Sequence, residues 1–325
     1  MMESSVMRVA GKFGIRANRI KKIRAGIYKI GTYGGANYSL KRMPMSQAEL
    51  RWVDRTLQAV RSHGYRQLAW RRPGRPEGRR LSVSDRKATY VLSPWIGGRQ
   101  PSPLSKQDMM ACGSAIARFH AAGSSMAGNT RTGQTKWQPE WRMQRRVLQR
   151  AYAQSRRGSL SLPVNRLLKR HGSEMLRLAD QSGRMLKRAS SLQRPKAVLC
   201  HGDGGPSNFI RNAAGTYLLD FETLQLNHRA YDLFKLIYNS CKDHHWNFST
   251  ARAILDGYRR VSKLRKQDYA MLKAWLRFPR TSYMVLLPGS RIPRTKGKLQ
   301  WAVASERKIS RFLQQLDRYA ATHSK

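Results

Sequence analysis

Two stretches decide how this chain is read: "VLCHGDGGPSNFI" at residues 198–210 and "TYLLDFE" at residues 216–222. Each opens on a short run of strand character and delivers an acid at its end, Asp203 in the first and Asp220 in the second. Acids are scarce in this sequence. The 325 residues hold 63 Lys and Arg against 18 Asp and Glu, a formal charge of +45. Four of those acids, Asp203, Asp220, Glu222 and Asp232, nevertheless fall inside the single window 203–232.

The residue types in this window suit the handling of a metal-bound nucleotide. Mg2+ takes hard oxygen ligands, commonly one or two carboxylates together with phosphates and water. Asp220 and the side-chain oxygen of Asn208 are such ligands, and Glu222 is placed either to hold a second ion or to stay solvated. A separate carboxylate must orient and deprotonate an attacking hydroxyl, and Asp203 is the one left for that task. His201 reads as a hydrogen-bonding orienter of the loop rather than as a base. Gly202, Gly204 and Gly205 allow the backbone to turn tightly around Asp203.

Outward from this window the chain divides in character. Residues 18–43 read as strands, with Gly34 and Gly35 marking a tight hairpin; no G-x-x-x-x-G-K-[ST] phosphate loop is present. Residues 46–64 read as a helix with Leu50, Val53, Leu57 and Val60 on one face, opened by a Ser46/Glu49 capping box and stopped by Gly64. Strand-like "YRQLAW" (65–70) and "RKATYVLSPWIGG" (86–98) follow, giving a small sheet with one helix laid across it. From Leu104 the pattern turns helical, first with a Ser105/Asp108 capping box and a stripe of Cys112, Ala115, Ile116 and Phe119. Further helices are expected at 165–190, 232–241, 249–261, 265–277 and 302–320, with loops at 121–135 and 154–164.

The run "HGDGGPSN…LLDFE" resembles the catalytic and metal-binding segments of the aminoglycoside phosphotransferase/choline kinase family, whose members have a protein-kinase-like fold. The family pattern H-G-D-x4-N, followed by an Asp after a short strand, is matched at His201, Gly202, Asp203, Asn208 and Asp220. "NHRAYDLFKLI" is similar to the family's R-x-x-D-L stretch, which implies that Asp232 ties the catalytic loop to a helix start. "NYSLKRM" resembles the strand carrying the phosphate-anchoring lysine, here Lys41. Glu49 is then the natural partner for that lysine, although it lies only eight residues on and the capping box also accounts for it. "YVLSPWIGGR" resembles the interlobe hinge, where backbone at Ser93, Trp95 and Ile96 would meet adenine. The resemblance implies an α+β, two-lobed fold: an antiparallel-sheet nucleotide-binding lobe over 1–95 and a larger, mainly helical catalytic lobe over 96–325. It also implies ATP and Mg2+ as cofactors and a hydroxyl acceptor. The Y-x-L-K strand, the hinge and the "DL-x-K-L" helix are most similar to the spore-coat CotS-type branch, which implies an endospore-forming bacterium and either a coat-associated acceptor or a structural role in the coat. One departure is plain: "KKIRAGIYK" carries a single glycine where the fold usually has a glycine-rich loop.

Composition bounds the rest. The charge favours anionic partners, such as an acidic protein or surface, and disfavours a polycationic acceptor. Nucleic acid is not expected as a partner, because the basic clusters at 71–80, 142–157 and 291–298 lie far apart without interleaved aromatics. Cys112, Cys200 and Cys241 have no C-x-x-C spacing and read as buried free thiols in a reducing, cytoplasmic setting. No His spacing suggests a structural metal, and no apolar run approaches the ~20 residues of a membrane span.

Overall fold

The computed structural model describes residues 3–85, 88–124, 126, 137–192 and 197–324. It opens with α1 (Glu3–Lys12), followed by β1 (Ala17–Arg24), β2 (Ile27–Thr32), β3 (Asn37–Met43), α2 (Gln47–Ser62), β4 (Val83–Asp85) and β5 (Ala88–Pro94). The five strands form one antiparallel sheet in the order β1-β2-β3-β5-β4. The mainly helical remainder holds α3 (Lys106–Ala122), α4 (Trp137–Arg156), α5 (Leu162–Leu192), α6 (Arg229–Cys241), α7 (Phe248–Arg259), α8 (Lys266–Arg277), α9 (Arg280–Leu286) and α10 (Lys296–His323). Between α5 and α6 lie two short antiparallel pairs, β6 (Val198–Cys200) with β9 (Gln225–Asn227) and β7 (Phe209–Asn212) with β8 (Gly215–Leu218). This is the expected protein-kinase-like architecture, a five-stranded antiparallel sheet followed by a mainly helical region.

The sheet is amphipathic on both faces, and each face has a different partner. Tyr38 and Leu40 of β3 point with Tyr28, Ile30, Tyr90 and Leu92 into a core closed by Val6, Val9, Ala10 and Phe13 around α1. Strand alternation sends Ser39, Lys41 and Met43 to the opposite face. The expected helix α2 is present with its capping box, but it does not cover the sheet alone. Leu50, Val53, Leu57 and Val60 join Met43 and Val91 to a core continuous with Cys112, Ile116 and Phe119 of α3. The helix packed on the far face is α1, which periodicity had not singled out.

Other expectations are corrected in detail. Residues 65–70 form no strand: Leu68 makes one bridge to Leu218, with Ala69 N–H donating to the Leu218 carbonyl and Leu218 N–H to the Gln67 carbonyl. The Ser105/Asp108 box is half formed. Ser105 Oγ accepts from Asp108 N–H, but the Asp108 carboxylate is taken by Arg99, Arg211 and Ser102 N–H. The loop expected at 154–164 shrinks to 157–161, because α4 runs to Arg156 and α5 begins at Leu162. Most of the loop expected at 121–135 lies outside the described residues. Helix α4 went unrecognised because its buried positions, Trp137, Gln144, Leu148, Ala151 and Ser155, include two polar residues in an arginine-rich run. The three cysteines are free and buried.

Candidate active site

The inner face of the sheet builds one wall of a cleft. Ser39, Lys41 and Met43 of β3 and Val91 and Ser93 of β5 line a cavity with Trp95, Ile96, Ile210, Asp220 and Phe221, enclosing about 660 Å3 of empty space including its mouth. The sequence-predicted residues Lys41, Ser93, Trp95, Ile96 and Asp220 are therefore brought to one place. At the hinge, Trp95 N–H donates to the Asn37 carbonyl at 3.0 Å and Lys29 Nζ lies 5.1 Å from the Trp95 ring centre. Ile96 N–H makes no hydrogen bond among the described residues and is a free backbone donor at the cavity edge.

Opposite this wall, Asp220 gathers the cations. Lys41 Nζ lies 2.6 Å from Asp220 Oδ1 and 3.0 Å from Glu222 Oε1, and Arg24 donates to Asp220 Oδ2 at 2.8 Å. Burial by itself pushes the Asp220 carboxyl pKa up, but the Lys41 ammonium and the Arg24 guanidinium outweigh it and hold the group below the usual carboxylate range. Asp220 also adopts a left-handed backbone (φ 62°), rare for a residue with a Cβ and typical of a side chain aimed by its surroundings. Glu49 is not the partner of Lys41. Its carboxylate accepts from Ser46 N–H at 2.8 Å and Ser46 Oγ at 2.7 Å on an exposed helix start, so the local cap wins over the longer reach. Arg24 had no sequence signal beyond its place two residues before Gly26, whose φ of 75° lets β1 turn into β2 in a two-residue loop.

The loop after β6 is held from beneath. Asp232, fully buried in the first turn of α6, accepts from His201 N–H (2.7 Å), Gly202 N–H (2.8 Å) and His120 Nε2–H (2.9 Å). His120 Nδ1 in turn meets Tyr258 Oη at 2.9 Å. Gly202 has φ 84°, and a Cβ there would lie 2.1 Å from the Thr223 carbonyl, so no larger residue fits. The buried His201 donates from Nε2 to the Leu219 carbonyl at 2.7 Å, while Nδ1 faces Asp203 N–H at 3.4 Å. Both its nitrogens are engaged, which makes it a positioning residue linking Asp203 to the strand before Asp220.

Asp203 itself is exposed. Asn208 Nδ2 donates to its carbonyl at 2.6 Å and to its Oδ2 at 3.1 Å, which fixes the carboxylate while leaving Asn208 Oδ1 without a described partner. The result is an open, oriented carboxylate beside a second carboxylate already bridged by two cations. An exposed carboxylate so placed can accept a proton from a hydroxyl brought to it. The oxygens of Asp220, Glu222 and Asn208 match what a hard divalent cation takes.

Two further clusters surround this core. The hinge residue Arg99 reaches Asp108 Oδ2 at 2.6 Å and Oδ1 at 2.8 Å, and Arg211 of β7 closes on the same carboxylate, clamping hinge, α3 and β7 together. These hydrogen bonds, Arg99 foremost, outweigh burial and hold the Asp108 carboxyl far below its usual range. His120, Cys200 and Asp232 bring metal-ligating atom types within 4.8 Å of one another. Asp232 and His120 are occupied by the loop-bracing bonds above and the Cys200 thiol meets the His228 carbonyl at 3.6 Å, which explains the cluster without an ion. No helix among the described residues is long and apolar enough to cross a membrane.

No curated protein matches the sequence. Among solved structures, the fold is shared with an aminoglycoside phosphotransferase from Alicyclobacillus acidocaldarius at 20% identity and TM-score 0.79, covering 99% of this chain and 97% of that one. It is shared with spectinomycin phosphotransferase bound to ADP and its antibiotic at 15% identity and TM-score 0.65, covering 94% and 99%. Amicoumacin kinase in complex with AMP-PNP and Ca2+ is similar at 14% identity and TM-score 0.63, covering 95% and 96%. These likenesses concern the fold. The sequence itself matches a model described as the phosphotransferase enzyme family over residues 24–275, a span that starts at the arginine over Asp220 and takes in Lys41, the segment 93–99, the loop 201–208 and Asp232. With most of its length and all of these residues inside that match, the chain belongs to the phosphotransferase enzyme family.

Proposed function

We propose that the protein transfers the terminal phosphoryl group of ATP to a hydroxyl of a small acceptor. The observation that carries this reading is the open Asp203 carboxylate, fixed by Asn208, beside an Asp220 held by Lys41 and Arg24 from the facing sheet. In this reading residues 1–95 form the nucleotide-binding lobe and 96–325 the catalytic lobe. The adenine edge meets the hinge at Ser93–Ile96, where Ile96 supplies the uncommitted N–H. Lys41 and Arg24 meet the phosphate chain, Arg24 contributing from a side chain the positive potential that a glycine-rich loop would contribute from backbone N–H groups. Asp220 and Asn208 hold Mg2+, with Glu222 as an additional carboxylate. When bound, the cation neutralises phosphate charge that develops during transfer. Asp203 orients the acceptor hydroxyl and accepts its proton. The sequence likeness to the spore-coat CotS-type branch supports a coat-associated acceptor, or a structural role in the coat, as the finer alternatives.

The test is calorimetric binding of ATP and release of ADP with Mg2+, Mn2+ or chelator. Wild type is expected to bind ATP only with the cation and to consume it. Asp203→Ala should bind nucleotide normally and lose turnover by about 10²–10⁴-fold, the contribution of a general base. Asp220→Ala should lose cation-dependent binding. A wild-type protein that neither binds nor consumes ATP with either cation would refute the proposal.

A further inference from the structure

One charged group beside the catalytic loop is used by nothing described so far. Lys235 on α6 is 9% exposed, yet its ammonium has no hydrogen-bond or ion-pair partner among the described residues. Its nearest described interaction is the face of Tyr231, 5.1 Å away. Helical spacing puts Asp232, Lys235, Leu236 and Asn239 on one face of α6. That face lies directly under the loop: a Cβ on Gly204 would sit 3.3 Å from the Asp232 carbonyl, and one on Gly205 would sit 3.3 Å from Asn239 Nδ2. Burial, with Arg280 adding to it, lowers the Lys235 pKa to about 8 against the opposing carboxylates of Glu140, Asp203 and Asp232.

Arg280, at the start of α9, is the second idle cation. Its guanidinium stacks over Phe234 at 5.4 Å and Tyr238 at 5.7 Å, and Nη1 is buried with no hydrogen-bond acceptor. Its ion pair with Glu140 is long, at 3.9 Å. Glu140 is already engaged, accepting from Tyr231 Oη at 3.0 Å and Gln144 Nε2 at 2.7 Å. Buried donors without acceptors are uncommon in folded proteins and costly to leave unmade. One such donor, the Arg280 guanidinium, with the unpaired Lys235 ammonium and the open Asp203 carboxylate in the same neighbourhood, describes a place prepared for anionic oxygen. A guanidinium and an ammonium held in the same aromatic neighbourhood, over Phe234 and Tyr231, favour a carboxylate or a phosphate over a neutral hydroxyl.

We propose that Lys235 and Arg280 form an oxyanion-binding recess beside Asp203, so that the acceptor carries a carboxylate or phosphate group in addition to the hydroxyl it presents to that base. The acceptor role rests on the phosphotransferase reading above; the recess as an anion site does not. A family fold seen in antibiotic kinases would here take an acidic hydroxyl compound.

The experiment titrates the full chain, without nucleotide and at fixed ionic strength, with four probes on one scaffold: glycerate, glycerol 3-phosphate, glycerol and 3-amino-1,2-propanediol. One of the two anionic probes is expected to bind saturably with one site, and which one does so separates carboxylate from phosphate. Lys235→Met and Arg280→Met should each weaken it at least tenfold, while Lys263→Met, which removes an exposed charge elsewhere, should not. The melting temperature of Lys235→Met should hold or rise, since an unpaired buried ammonium is removed. The proposal is overturned if the anions bind no better than glycerol, if the aminodiol binds best, if the Lys263 variant weakens binding equally, or if Lys235→Met melts lower. Cation-dependent ATP binding is measured on the same samples. Its absence would remove Asp203's catalytic role, whereas the probe titration still decides whether the recess exists.

Discussion

The two walls of the cleft carry opposite charge and are built by opposite means. The sheet wall contributes cations, Arg24 and Lys41, from strands whose other face is packed on α1. The loop wall contributes acids, and it holds them in two different states. Asp232, in the first turn of α6, is fully buried and accepts from three donors, while Asp203, in the loop it braces, is exposed and bonded through Asn208. The carboxylate that braces the loop is enclosed, and the one the loop presents is open to solvent. Asp220 stands between, because its partners come from the other wall, 179 and 196 residues away in the chain. The site therefore exists only when the two walls face each other.

Breaking the enclosed acid should have the largest effect on stability. Asp232→Ala leaves two backbone N–H groups and His120 without their acceptor, an expected loss on the order of 3 kcal/mol in denaturant unfolding. Activity should fall with it, because the loop loses its brace. If Asp232→Ala kept wild-type stability, the division between enclosed and open acids would be wrong.

Lys41→Met tests the sheet wall. It should reduce turnover by roughly 10–100-fold and raise the KM for ATP, the loss expected when an electrostatic contact to a phosphoryl group is removed, with an unfolding midpoint close to wild type. Arg24 is 60% exposed at its side chain, so Arg24→Ala should cost less, about 2–10-fold in KM for ATP, and the difference from wild type should shrink as salt rises. An Arg24 variant with unchanged nucleotide affinity at low salt would leave the short hairpin without a phosphate role.

The smallest effect sharpens the comparison from outside the cleft. Glu306 on α10 is buried and accepts from Ser282 N–H and Oγ. Burial, only partly offset by those bonds, raises its pKa to about 7 from an ordinary 4.5. A raised acid favours folding below its unfolded pKa, and that stability is lost as pH climbs through the folded value. Stability should therefore fall between about pH 4.5 and 7 by an amount that Glu306→Gln abolishes, read as midpoint against pH. Activity of Glu306→Gln at pH 7 should match wild type, since this enclosed acid has no part in the cleft.

Much of this was legible in the residues. The spacing of His201, Asp203, Asn208 and Asp220 is local, a loop and a hairpin, so one stretch of chain carries it and the structure brings those residues together. Lys41 was legible through the resemblance of "NYSLKRM" to the strand that carries the family's lysine, and the structure brings it to the cleft. Glu49 was misread because a carboxylate three residues from an N-cap has a nearby donor that no sequence distance to Lys41 can outcompete. Arg24, His120 and Lys235 were invisible for another reason. Each is one basic or aromatic residue among many, and only the direction in which its element packs gives it a meaning.

Residue order along the chain was enough for the make-up of the loop 201–208, the helix caps, the alternation of the strands and the excess of positive charge, because each depends on composition or on neighbours a few positions apart. The tertiary structure alone decided which cations meet Asp220, which acid is sealed and which is open, and that a lysine lies unpaired beneath the loop. Those are matters of electrostatics and solvation across elements far apart in the chain, where burial and the identity of the facing group set the strength of every charge.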